Sequence, residues 1–259
     1  MLRTLWTSRT GMNANQERLD VISNNLANSS TAGYKKLEIG FKDLLSESLD
    51  RRGYPIYDKT SIMGTGTRTT AWYRDGHQGN LMVTEIATDL CIEGEGQYFR
   101  LTQPDGTKVY TRDGAFKIDS LGRLVDSFGN KVDIEFDPGR NEENTPFTVD
   151  SFMVDTEGYV YRKENNIFNR VGKINLYTAT GDNAFNSVGN NLFVPAEGAD
   201  VRIVDVDNTR IHQGYLEGSN VDVAQEMTDM IVTQRAFQLS SKSLQTADDM
   251  WGMINNMRS

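Results

Sequence analysis

His77, His212, Cys91 and the acidic run Asp205-Val206-Asp207-Asn208 are where general-base, nucleophilic or metal chemistry would have to start in this 259-residue chain. Neither histidine has a nucleophile motif beside it, and both sit among polar residues, so nothing reads as a base poised over a serine or cysteine. Cys91 stands alone between Leu90 and Ile92, which excludes an intrachain disulfide and a cysteine cage for zinc; it reads as a small buried hydrophobe. The acidic run lacks the glycine and glutamate of a calcium loop and reads as a solvated strand edge. Gly64-Thr65-Gly66 and Gly94-Glu95-Gly96 lack the Lys-Ser/Thr or the third glycine of a phosphate cradle, so both are expected to be turns. The tyrosines and phenylalanines of the middle read as strand-face packing rather than a carbohydrate platform. The expectation is a chain that is not an enzyme and carries no cofactor and no metal.

Charge narrows the partners. With 27 Lys and Arg against 36 Asp and Glu the net charge is −9, and no basic stripe occurs, which argues against nucleic acid. No run of 18 apolar residues is present, so membrane insertion is not expected. The first residues, Met1-Leu2-Arg3-Thr4-Leu5-Trp6, lack the apolar core of a cleaved secretory leader. Hydrophobic residues make up 37% of the chain, few for one large globule, so their placement matters.

That placement follows two periods. Leu5, Met12, Leu19 and Leu26 are seven apart, with Val21 and Ile22 beside them, and predict a helix over about residues 1–28. Val223, Met230, Phe237, Leu244 and Trp251 form a second seven-residue ladder, flanked by Met227, Ile231, Ala247 and Ile254, and predict a helix over 220–257. Ser219 with Asp222 resembles a capping box at its start. Between the helices the pattern changes to short β-branched and aromatic runs broken by Pro104-Asp105-Gly106, Asp113-Gly114, Asp119-Ser120-Leu121-Gly122 and Gly129-Asn130, the chemistry of hairpins. The fold expected is α+β: terminal helices pairing as a coiled-coil-like domain (1–36 and 215–259), an extended inter-subunit segment (37–70) and a discontinuous β-rich domain (71–214). Charge divides along the same lines, +3 over residues 1–36, −2 over 220–259 and −10 between. Two seams at the chain ends bury too little by themselves to offset the ordering of some 60 residues, at about 1–2 kcal/mol of backbone entropy each. They are therefore expected to form an assembly seam with other copies, carried by Leu5, Met12, Leu19, Ile22, Leu26, Val223, Met227, Met230, Phe237, Leu244 and Trp251. The alternative is a soluble binding or enzymatic β domain with a helical hairpin.

Three stretches carry a resemblance. Asn24-Asn25-Leu26-Ala27-Asn28-Ser29-Ser30-Thr31-Ala32-Gly33-Tyr34-Lys35 resembles the N-terminal signature of the flagellar rod and hook proteins, in which Asn24, Asn25, Ala27, Asn28, Thr31, Gly33 and Tyr34 are the matching positions. Leu90 to Phe99 with Tyr110-Thr111-Arg112-Asp113-Gly114 is similar to the same family, as is Gly214 to Val223 running into Gln234-Arg235-Ala236-Phe237. Length and the segments Phe41–Leu45 and Gly64–Arg68 are most similar to the distal rod members, with a proximal rod paralogue as the alternative. Two positions depart from the family: Ser30 replaces a common Asn and Ala32 a common Pro, which removes a hard stop for the first helix. The resemblance implies a structural subunit that polymerises helically through its terminal helices into a tube, with the helices at the inner wall and the β domain outside. It also implies partners among neighbouring rod and hook proteins, a place in the flagellar basal body, and passage through the flagellar export apparatus without a cleaved leader.

Overall fold

A run with no proline before Pro55 and apolar residues at helical spacing forms α1, Leu2–Ala27, and the longer proline-free run forms α2, Val223–Arg258. The structure, a computed structural model, describes residues 2–48, 62–142, 144–181, 184–205 and 210–258. At 1.5 Å per residue the 36 residues of α2 extend about 54 Å. Asp222 caps it, its Oδ1 accepting from the backbone N–H groups of Ala224 at 2.9 Å and Gln225 at 3.1 Å. The expected box with Ser219 is therefore corrected: Ser219 Oγ accepts from the N–H of Val221 at 3.3 Å, outside the helix, and the capping side chain is Asp222. Without proline at position 32, α1 stops at a turn in which the N–H of Thr31 donates to the carbonyl of Asn28 at 3.1 Å.

The chain divides into two units. One holds residues 1–27, 37–73 and 222–259, so the segment expected as a connector groups with the helices. Within it the strand Phe41–Asp43 pairs antiparallel with Thr67–Thr69, and Ser46–Ser48 with Ile62–Gly64. Residues 49–61 of that segment lie outside the described residues, as do Val206, Asp207 and Asn208 of the acidic run.

The other unit, residues 28–36 and 74–221, is all strand and turn. Nine described strands form one sheet around the central strand Gln97–Thr102, whose partners include Lys108–Thr111, Lys131–Val132 and Leu176–Ala179. Four more, Phe152–Val154, Tyr159–Glu164, Ile167–Ile174 and Ile134–Phe136, make a second antiparallel sheet. Between Lys173 and Tyr177 the chain leaves one sheet at Ile174 and joins the other at Leu176. The turns follow their chemistry: Asp119 Oδ1 accepts from the N–H groups of Leu121 and Arg123, and Asp126 Oδ1 from those of Phe128 and Asn130, all between 2.8 and 2.9 Å. Phe99, Leu101, Val160, Val171, Leu176 and Ile211 fill the core, each at 1% exposure or less. The fold is α+β.

Candidate functional site

The helical unit carries the first candidate surface. Ser8 Oγ lies 3.1 Å from Ser243 Oγ, Arg18 Nη2 3.9 Å from Asp229 Oδ2, and Asn25 Nδ2 3.2 Å from Glu226 Oε2, so α1 and α2 run side by side and antiparallel. The buried residues of α1 are Ala14, Val21, Ile22 and Asn25, and those of α2, Glu226, Thr233 and Ala247, are small or polar. Asn25 is also a clamp, donating to the carbonyl of Leu37 and accepting from its N–H, both at 2.9 Å.

The ladders occupy less buried positions. Leu5, Met12, Leu19 and Leu26 are half-buried, as are Met230, Phe237 and Leu244, while Val223, Met227 and Trp251 are exposed. A further set that the dominant ladder conceals in the sequence is more open still: Val232 is 59% exposed, Leu239 69%, Met253 59% and Met257 81%. Its own seven-residue spacing, 232, 239, 246, 253, is interrupted by Thr246, which is why periodicity did not single it out.

The β unit holds a second constellation, a buried ion cluster. Glu217 accepts from Lys35 Nζ at 2.7 Å and from Arg112 Nε at 2.5 Å, and the three side chains are between 1% and 5% exposed. The remaining polar atoms are satisfied by backbone: Lys35 Nζ donates to the carbonyl of His77 at 2.6 Å, Arg112 Nη1 to that of Gln97 at 2.6 Å and Nη2 to that of Gly94, while Gly79 N–H donates to Glu217 Oε1 at 2.9 Å. Burial pulls the Lys35 ammonium below its ordinary value, opposed by its hydrogen bond to Glu217. Gly33 explains its place in the signature: its φ is +66°, its N–H donates to the Glu217 carbonyl at 2.8 Å, and a Cβ there would stand 2.6 Å from the Arg112 carbonyl carbon. Around the same node Lys36 N–H donates to Asn220 Oδ1 at 2.7 Å and Asn191 Nδ2 to the carbonyl of Ala32 at 3.0 Å. Tyr34 is buried.

The cluster is almost closed to solvent and holds its charges against fixed partners. His77 pairs with Asp75, whose hydrogen bond raises the imidazole above its ordinary value, and His212 Nε2 lies 2.8 Å from Glu93 Oε2. Among the described residues no three or more His, Cys, Asp or Glu side chains converge as a metal site, and no helix is long and apolar enough to cross a membrane.

Over its full length the chain is 38% identical to the flagellar basal-body rod protein FlgG of Borreliella burgdorferi, covering 99% of that protein. It is 35% identical to the FlgG of Buchnera aphidicola from Acyrthosiphon pisum, covering 99% of this chain and all of that one. The chain belongs to the flagellar basal-body rod protein family. Across all of both chains it is also 28% identical to the flagellar hook-basal body complex protein FlhP of Bacillus subtilis. Three family models match in turn: flagella basal body rod protein over residues 5–35, flagellar hook protein FlgE/F/G D1 domain over 91–162, and flagellar basal body rod FlgEFG protein C-terminal over 212–257. Each of the three matched stretches of this rod-family chain supplies one member of the buried cluster, Lys35, Arg112 and Glu217 in that order.

The signature residues therefore divide by task. Asn25 ties α1 to Leu37 and Glu226, Asn28 and Thr31 make the turn, and Gly33, Tyr34 and Lys35 enter the β unit. Asn24 and Ala27 are exposed. The cluster escaped sequence reasoning because its members are up to 182 residues apart and each is a single charge without periodicity. Its one signal was that a charge sits within two residues of an aromatic residue and of a glycine in each signature.

Proposed function

We propose that this chain is a structural subunit of the bacterial flagellar rod, of the distal kind, that polymerises helically through α1 and α2 and transmits torque toward the hook. The observation that carries the reading is the open apolar face of α2, Val232, Leu239 and Met253, on a helix whose buried seam toward α1 is small and polar. Such a face is covered only when another molecule packs on it. The names of the full-length relatives support the same reading, and neighbouring rod and hook proteins and the flagellar export apparatus are its other partners. The β unit has its own core and needs none of these contacts to fold.

The test is Leu239→Asp. Leu239 is 69% exposed, so the free chain keeps its circular dichroism and unfolding midpoint, while cells with this as their only copy lose rods and motility. Normal rods from Leu239→Asp would overturn the reading.

A further inference from the structure

Each helix carries an apolar ladder beside the α1–α2 seam, and the two ladders stand in a defined relation. On α1 the seam line runs through Gly11, Arg18 and Asn25, and the ladder Met12, Leu19, Leu26 is the next residue each time, about 100° further round. On α2 the seam line runs through Thr233, Ser240 and Ala247, and the ladder Val232, Leu239, Thr246 is the preceding residue each time, about 100° the other way. Because the helices are antiparallel, those offsets carry the two ladders to opposite faces of the hairpin.

We infer that the α2 ladder of one copy packs on the α1 ladder of a second copy of this chain, antiparallel, in a head-to-tail contact that repeats without closing. This rests on the rod-subunit reading and names which faces meet. The spacing and charge argue for α1 as the occupant. Aligning Leu19 with Leu239 sets Leu26 against Val232, Met12 against Thr246 and Leu5 against Met253, four rungs in step. Thr246 then faces the long, adaptable Met12. The same alignment brings Arg9 to Asp249 and Asp20 to within one turn of Arg235, four exposed charges that meet with opposite sign in this direction and with like sign if the helices were parallel. Two different patches on opposite faces give a heterologous interface, which extends; a patch that pairs with itself gives a closed dimer. The interface also continues the geometry of the pairing within the chain, where another antiparallel α1 already lies against α2.

Disulfide mapping decides it. In a chain whose only native cysteine is removed by Cys91→Ala, Leu19→Cys and Leu239→Cys are made separately and coexpressed, and basal bodies are isolated and oxidised. The expected result is a covalent dimer only when both variants are present, and a ladder of multimers when both substitutions are on one chain. Rods that form without these cross-links, or a dimer from either single variant alone, overturn the inference and leave the rod-subunit reading intact. If the unsubstituted chain is absent from basal bodies, that reading fails and this one with it. A second measurement needs no cysteine: Asp249→Arg lowers incorporation several-fold and Arg9→Asp on the same chain restores it, and absence of rescue counts against the pairing.

Discussion

Cys91 is 1% exposed, and burial pushes its thiol up to about 12 from an ordinary 9.0. The native protein therefore reacts slowly with a thiol reagent at pH 8 and fast in urea. The sign of the linkage follows: the unfolded chain releases this proton first, so the contribution to stability is whole below about pH 9 and is lost as pH rises toward 12. Urea titrations across that range should show a loss that Cys91→Ala lacks. At the buried cluster, Glu217→Ala leaves Lys35 and Arg112 without their carboxylate, and the expected cost is about 3–5 kcal/mol in the unfolding free energy. The combination Lys35→Met, Glu217→Leu and Arg112→Met removes the buried charges together and should recover much of that loss. Continued loss in the triple variant would show that the charges themselves, not their balance, are needed. His77 should titrate above 6.5 by NMR and return toward that value in Asp75→Asn, since the Asp75 hydrogen bond is the main cause of its shift. Its contribution is present below 6.5 and lost as pH rises through the raised value.

Among the elements, α2 depends on its first turn and on what its seam contains. Asp222→Ala removes an acceptor shared by two N–H groups and should cost about 1 kcal/mol, read as a lower urea midpoint of the full chain. The seam itself was only half legible. The ladder from Val223 to Trp251 located the helix correctly, because sevenfold spacing of large residues imposes a helical face. It did not identify the most buried line, Glu226, Thr233 and Ala247, because two helices in contact bury whatever lies on the line of closest approach, and small and polar residues allow that approach to be close. Turns were the most legible elements: Asp119-Ser120-Leu121-Gly122 formed the expected turn, since the side-chain acceptor is local to it.

For the whole molecule, the half-buried ladder of α1 and the open face of α2 mean that the free chain should lose its terminal segments to limited proteolysis before the β unit, whose core is continuous and fully buried. In isolated basal bodies the same sites should be protected. Terminal helices that resist protease in dilute monomer would weigh against assembly through them.

By itself the sequence determined the two helices, the strand-and-turn middle and the family resemblance, because all of these are written in local spacing and residue type. Only the tertiary structure decided that Lys35, Arg112 and Glu217 meet in one buried cluster and that Val232, Leu239 and Met253 are among the apolar residues α2 leaves open. Both depend on contacts between residues far apart in the chain: a lone charge gives no periodic signal, and which of several helix stripes is covered depends on where the neighbouring helix lies.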